Sequence, residues 1–189
     1  MDAKTRAFLA VEIPAELSKQ ISEIQAFLKT SDADANWVPA ENFHYNLKFF
    51  GYLSDSDLKK VITATQKTVS ASKRFEIEIN GVGGFPNLNT PKILWLGMKK
   101  GTDAIKSLAA ALEKEYSALG IPAEEREFQA HLTLCRLKSN EHKNELIEKV
   151  KLKQHINIGS FKVTELVLFK STLKPTGPVY EPIEKFKLG

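Results

Sequence analysis

The sequence predicts an α+β fold of two pseudo-symmetric lobes, each a mostly antiparallel sheet with helices on its outer face, and a cleft between them. Three observations carry that expectation. Apolar spacing switches repeatedly between the period of a strand and the period of a helix along the whole chain. The order of these elements repeats once, with Arg6 and Lys92, His44 and His131, and Phe75 and Phe161 standing 86, 87 and 86 residues apart. At 189 residues, 42% hydrophobic and 26% charged, the chain has the size and composition of one folded domain. A single bilobal domain over 1–189 is therefore expected, with an internal pseudo-repeat at approximately 4–90 and 91–189.

The elements follow in order. Arg6 to Glu12 is short, apolar and bounded by Pro14, which reads as a buried strand. Ala15 to Thr30 places Leu17, Ile21, Ile24, Phe27 and Leu28 on one helical face. A loop over Asp32 to Glu41 leads to an alternating, aromatic-rich strand from His44 to Leu53. Ser54 with Asp57 three residues on then opens a helix to about Ser70, and Phe75 to Val82 alternates again. The second half repeats this order: a strand from Lys92 to Met98, a helix from Thr102 to Leu119 closed by Gly120, and a strand from His131 to Leu137. A short helix near Glu141 to Val150, one strand from Ile158 to Phe169 and a last strand from Tyr180 to Leu188 complete the chain.

Composition narrows the function. Lys and Arg number 27 against 23 Asp and Glu, a net charge of +4, which suits an anionic ligand and is far from a polycation that coats duplexes. The single cysteine, Cys135, rules out an intrachain disulfide. No C-x-x-C or H-x-x-x-H spacing offers a sequence-local zinc site, so no metal or other cofactor is expected. No apolar run reaches the ~18 residues of a membrane span, and Met1 to Thr5 is polar. The expected setting is cytoplasmic, away from membranes.

Residues two apart on a strand share a face. His44, Asn46, Lys48 and Phe50 therefore point one way and Tyr45, Leu47 and Phe49 the other, toward the core. In the second half His131, Thr133 and Cys135 share a face, opposite Leu132 and Leu134. Each half thus sets a histidine and a hydrogen-bonding side chain two residues apart on the face turned away from the core, and a pseudo-two-fold brings the two faces together. Opposed imidazoles suit in-line displacement at phosphorus: a neutral one takes a proton from the attacking oxygen and a protonated one supplies the leaving oxygen. Asn46 and Thr133, with Lys48 nearby, are placed to grip the non-bridging oxygens.

These motifs resemble a known family from end to end. Arg6-Ala7-Phe8-Leu9-Ala10-Val11-Glu12-Ile13-Pro14, Trp37-Val38-Pro39, His44 to Gly51, Gly83-Gly84-Phe85-Pro86, Leu94-Trp95-Leu96-Gly97, Arg126 to Arg136 and Leu168 to Tyr180 are similar to the bacterial and archaeal RNA 2′,3′-cyclic phosphodiesterases. These are historically called 2′-5′ RNA ligases and fall within the two-histidine (2H) phosphoesterases. His131-Leu132-Thr133-Leu134 matches the family's His-x-Thr/Ser-x motif. His44-Tyr45-Asn46-Leu47 departs from it at Asn46, where an amide donor replaces a hydroxyl, and Ala130 stands where the family often has Pro. The resemblance implies hydrolysis of a terminal 2′,3′-cyclic phosphate to a 2′-phosphate, with His44 as proton donor, His131 as proton acceptor and Asn46 and Thr133 on the phosphate. It also implies RNA ends or cyclic nucleotides as partners, a monomer, and the same groups joining a cyclic phosphate to a 5′-hydroxyl.

Other features read as structure. Gly81-Val82-Gly83-Gly84 is followed by Phe85-Pro86 with no helix, so it forms a strand-end turn and no phosphate loop. Cys135 lies four strand residues from His131, too far for a dyad. His142 and His155 fall on solvated surface. Arg126 and Arg136 flank the second motif as candidate substrate contacts, although simple alternation turns Arg136 away from the cleft unless the strand bulges. Trp95 and Phe50 are more often core residues than base-stacking ones. Two alternatives stand beside the hydrolase: an RNA-end binding module weakened in catalysis by Asn46, and a 2H phosphoesterase for a small cyclic phosphate such as that of ADP-ribose.

Overall fold

A computed structural model describes residues 4–124, 127–175 and 177–189. The elements are β1 (Lys4–Glu12), α1 (Ala15–Lys29), β2 (Ala35–Trp37), β3 (His44–Ser54), α2 (Asp55–Ser70), β4 (Phe75–Phe85), β5 (Ile93–Lys100), α3 (Thr102–Ala118), β6 (Leu132–Leu137), α4 (Lys143–Lys153), β7 (Asn157–Val163), β8 (Glu165–Lys174) and β9 (Gly177–Lys187). A 3-10 turn, Ala40–Asn42, precedes β3. Local chemistry explains several boundaries. Ser54 accepts from the Asp57 amide to start α2. Gly101, at φ +92°, turns the chain into α3, where a Cβ would stand 2.5 Å from the Glu76 carbonyl oxygen.

All strand pairs are antiparallel. One sheet runs β3-β1-β8-β9 and the other β2-β6-β5-β4-β7. The sheets do not coincide with the sequence halves at 4–90 and 91–189. β4, from the first half, pairs with β5, while β8 and β9, from the second, complete the sheet of β1 and β3. Helices cross over as well: α1 packs on α4 and β7, and α3 packs on α2 and β3. Each half therefore contributes a helix and a strand to the other, and one continuous apolar core links Leu9, Leu47 and Val61 to Ile79, Leu96 and Leu146. The helices cover one face of each sheet. The opposite face of the first sheet carries Phe8, Ala10, Val167 and Phe169, with Tyr180 against them.

Three predicted boundaries change: Gly81 to Gly84, expected as a strand-end turn, lie within β4, where Val82 to Phe85 pair with β5. The single strand expected over Ile158 to Phe169 is β7 and β8 in different sheets, separated at Thr164, where no glycine or proline marks the break. β2 lies inside the expected loop; three residues are too few to show alternation.

The most consequential difference is a pair of bulges. β1 pairs Ala10 with Asn46 and Leu9 with Lys48, which leaves Leu47 as an extra residue on β3. β5 pairs Trp95 with Thr133 and Leu94 with Cys135, leaving Leu134 extra on β6. Both bulges fall immediately after the polar residue of the motif, and in each the following side chain changes face. Lys48 consequently leaves the cleft face predicted for it. It is 3% exposed, and its Nζ donates to Glu113 Oε1 at 3.0 Å and to the Pro122 carbonyl at 2.8 Å. Phe50 likewise packs edge-on against Tyr116, with centroids 5.0 Å apart. Cys135 turns into the core, where burial pushes its thiol up to about 12, and Arg136 turns to the cleft face that simple alternation denied it.

Lys48 is thus a structural cation that ties β3 to α3 and to the segment leading toward His131. Lys48→Met should lower stability by about 1–3 kcal/mol, because it leaves the Pro122 carbonyl without its lysine donor and Glu113 without its cation. A urea midpoint equal to that of the parent protein would contradict this placement.

Candidate active site

The start of β3 and the residue just before β6, in different sheets, bring the two histidines to one cavity of about 1000 Å³, whose lining includes His44, Asn46, His131, Thr133, Arg136 and Tyr180. Each imidazole is held in the same way. His44 Nδ1 is 2.7 Å from the carbonyl oxygen of Asn42, and His131 Nδ1 is 2.7 Å from that of Gln129, in both cases two residues back along the chain. A carbonyl only accepts, so Nδ1 carries the proton in both rings and Nε2 is left free for proton transfer.

The surroundings of the two rings differ. His44 packs on Phe8 at 4.9 Å between centroids and meets Tyr180 edge-on at 5.6 Å. Burial pulls its pKa below the ordinary histidine value. The Asn42 carbonyl opposes that shift, and a charge on His131 adds to it. His131 is half-buried, with Phe85 edge-on at 5.0 Å. Phe85 in turn packs on Trp95, whose indole lies over Gly83, where a Cβ would come within 2.2 Å of the ring. Part of the Trp95 indole is thereby covered by Gly83, Gly97 and Phe85, and the residue stays partly exposed.

Asn46 and Thr133 both reach the cavity, as their spacing predicted. Among the described residues, the Asn46 Oδ1 is buried without a hydrogen-bond partner, so no protein group claims this amide oxygen. Arg136 lines the cleft; Arg126 lies outside the described residues. Two contributors went unrecognised in the sequence. Asn42 not only orients His44 through its carbonyl but donates its side-chain Nδ2 to the Pro178 carbonyl at 3.1 Å, tying the turn before β3 to the β8–β9 hairpin. Tyr180 lines the cavity, and its hydroxyl feels the charges of Arg6 and Arg136, although burial dominates and raises its pKa. The shared position of Asn42 and Gln129, each two residues before a motif histidine, was the legible signal for the first; nothing local marks the second. No group of three or more His, Cys, Asp or Glu side chains suited to a metal occurs among the described residues. Two Nδ1-anchored imidazoles, an amide, a hydroxyl and a guanidinium around an open cavity can bind an oxyanion and move protons on both sides of it.

Known proteins resemble the chain over nearly its whole length. A family model for the 2′-5′ RNA ligase superfamily matches residues 13–174. An RNA 2′,3′-cyclic phosphodiesterase of Methanothermobacter thermautotrophicus is 36% identical over 185 residues, covering 98% of this chain and 100% of that protein. A protein of the same name from Aquifex aeolicus is 32% identical over 179 residues, 91% of this chain and 93% of its own. Among solved structures, E. coli LigT in complex with 3′-AMP shares the fold, with a TM-score of 0.79 at 24% identity over 98% of this chain and 99% of that one. No helix among the described residues is long and apolar enough to cross a membrane.

The His44 environment has a measurable consequence. In NMR-monitored titration its imidazole should protonate below the usual histidine value of ~6.5, and His131→Ala should move it upward by removing a like charge. The unfolded chain accepts that proton near ~6.5 while folded His44 still refuses it. His44 therefore contributes a loss of stability as the pH falls from that value toward its folded pKa, and none above it. A His44 titration at or above ~6.5 would contradict the burial described.

Proposed function

The chain belongs to the 2′-5′ RNA ligase superfamily, and on that premise we propose that it is a metal-independent phosphodiesterase opening the terminal 2′,3′-cyclic phosphate of RNA to a 2′-phosphate. The observation that carries this reading is the matched pair of imidazoles, each fixed through Nδ1 to a carbonyl two residues back, lining one cavity together with Asn46, Thr133 and Arg136.

In this mechanism the phosphate monoanion sits between the lobes, with non-bridging oxygens on the Asn46 amide NH₂, the Thr133 hydroxyl and the Arg136 guanidinium. A half-turn of the Asn46 amide presents its nitrogen where the unpartnered oxygen stands. His131 Nε2 accepts a proton from water as the water oxygen bonds to phosphorus. The P–O3′ bond breaks, and His44 Nε2–H gives its proton to O3′, leaving a 2′-phosphate and a 3′-hydroxyl. The division follows the roles that the family resemblance implies; His44 packs against Phe8 and Tyr180, and His131 against Phe85. Burial disfavours the His44 cation in the free site, but a bound phosphate anion favours it, so the acid form is recruited by the substrate itself. A 5′-hydroxyl in place of water gives 2′-5′ ligation with the same groups, the cyclic ester supplying the free energy.

Hydrolysis of a cyclic-phosphate-ended oligonucleotide should persist in excess EDTA, and His44→Ala and His131→Ala should each lower kcat by at least ~10². Asn46→Thr should stay within about tenfold of the parent and Asn46→Ala should lose ~10- to 10³-fold, the scale of one oxyanion donor. Activity abolished by chelation and restored by a divalent ion would overturn the mechanism. An inert parent protein that Asn46→Thr awakens would instead favour an RNA-end binding module.

A further inference from the structure

The cleft face of the first sheet continues past the reactive histidine, and its two ends differ in charge. Around the start of β3 and the end of β1 carboxylates outnumber cations: Glu12 and Glu165 share Lys185, at 3.4 and 3.1 Å, and Glu12 and Glu41, with Lys19, line a second cavity of about 580 Å³ beside His44. Toward the other end the charge reverses. β1 presents Lys4 and Arg6 on the same face as Phe8, because Arg6 pairs with Tyr52 and Phe8 with Phe49. The Leu47 bulge, followed by a second one at Phe50, brings both Phe49 and Tyr52 onto the Asn46 side of β3. Phe49 is 40% and Tyr52 66% exposed, and Leu173 of β8 is 64% exposed. The Arg6 guanidinium lies 4.6 Å from the Phe49 ring centroid and also bonds to the Ser171 hydroxyl. Large aromatic rings are seldom left open on a sheet that already has a core on its other face.

We infer that this end of the first sheet, with Lys4, Arg6, Phe49 and Tyr52, is a track for the single-stranded RNA upstream of the cyclic phosphate, with bases stacked on the two rings and phosphates near the two cations. The inference rests on the phosphodiesterase reading above. In-line geometry selects this sheet: O3′ leaves toward His44, so the RNA that carries O3′ lies on the His44 side, while the His131 side receives water. Charge then selects the end, since a polyanion runs toward Lys4 and Arg6 and away from Glu12, Glu41 and Glu165. Length fits as well. Arg6 lies four strand residues from Ala10, the partner of Asn46, so Tyr52 is roughly 13 Å from Asn46 along the sheet. About four stacked nucleotides at ~3.4 Å each span that distance. Exposed aromatic side chains on an open sheet stack unpaired bases without requiring one sequence.

The test compares RNAs of one to five nucleotides ending in a 2′,3′-cyclic phosphate, by kcat/KM, and the corresponding 2′-phosphate products, by Kd. For the parent protein, kcat/KM should rise and product Kd fall by about tenfold or more between one and five nucleotides. Tyr52→Ala should cancel most of that gain, Tyr52→Phe should keep it, and Lys4→Glu should reduce both the gain and its salt dependence. A parent protein indifferent to length, or a folded Tyr52→Ala protein that keeps the full gain in both readouts, would overturn the track. Absence of turnover with every RNA would instead overturn the phosphodiesterase reading, and product Kd would still decide whether RNA follows this sheet.

Discussion

A strand that must serve a reactive cleft and a hydrophobic core at once faces a conflict, because strict alternation keeps the same residues on the same side from end to end. One extra residue on each motif strand resolves it. With Leu47 out of register, His44 and Asn46 face the cavity while Lys48 faces inward; with Leu134 out of register, Thr133 and Arg136 face the cavity while Cys135 is sealed. A side chain from a distant element also binds the backbone at the second bulge. Gln25 of α1, itself buried, donates its Nε2 to the carbonyls of both Leu134 and Val38 at 2.9 Å. The Val38 N–H already donates to the Leu134 carbonyl at 2.9 Å, so Gln25 adds a second bond there and braces the irregularity with the helix that the first half lends to the second sheet.

The interlocking of the halves has a mechanical meaning for the chemistry. The two motif imidazoles belong to different sheets, and the proposed proton transfer on both sides of one phosphorus requires their separation to be held closely. Two lobes joined by a hinge would let that separation vary. Here β4 and α1 cross one way, β8, β9 and α3 cross the other, and the apolar core is continuous between them. The Tyr45 hydroxyl on β3 donates to the Gly97 carbonyl on β5 at 2.9 Å, a direct bond between the two sheets directly beside the first motif.

Much of this was legible in the sequence, for a definite reason. His44 and His131 recur at the spacing of a duplicated unit, and strand and helix periods are local properties that survive whatever the tertiary context does. The helices at Ala15, Asp55 and Thr102 and the facing of His44, Asn46, His131 and Thr133 follow from such local signals. What escaped detection is not local. A bulge adds one residue without altering composition, so Lys48 looked like a phosphate ligand and Arg136 looked turned away. The exchange of β4 and β8 between sheets is decided by pairing energies over long separations, and the division at Thr164 carries no turn residue. Tyr180 reaches His44 only because the hairpin it belongs to joins the first sheet from the far end of the chain.

In the proposed mechanism the two lobes divide the proton transfers, with His44 serving the leaving oxygen and His131 the attacking one. Replacing the bridging 3′-oxygen of the cyclic phosphate by sulfur tests it directly, since a thiolate leaves without a proton. With that substrate, most of the rate lost in His44→Ala should return, while His131→Ala should remain as impaired as with oxygen. Recovery of His131→Ala instead would exchange the two roles, and recovery of neither would contradict the division of labour altogether.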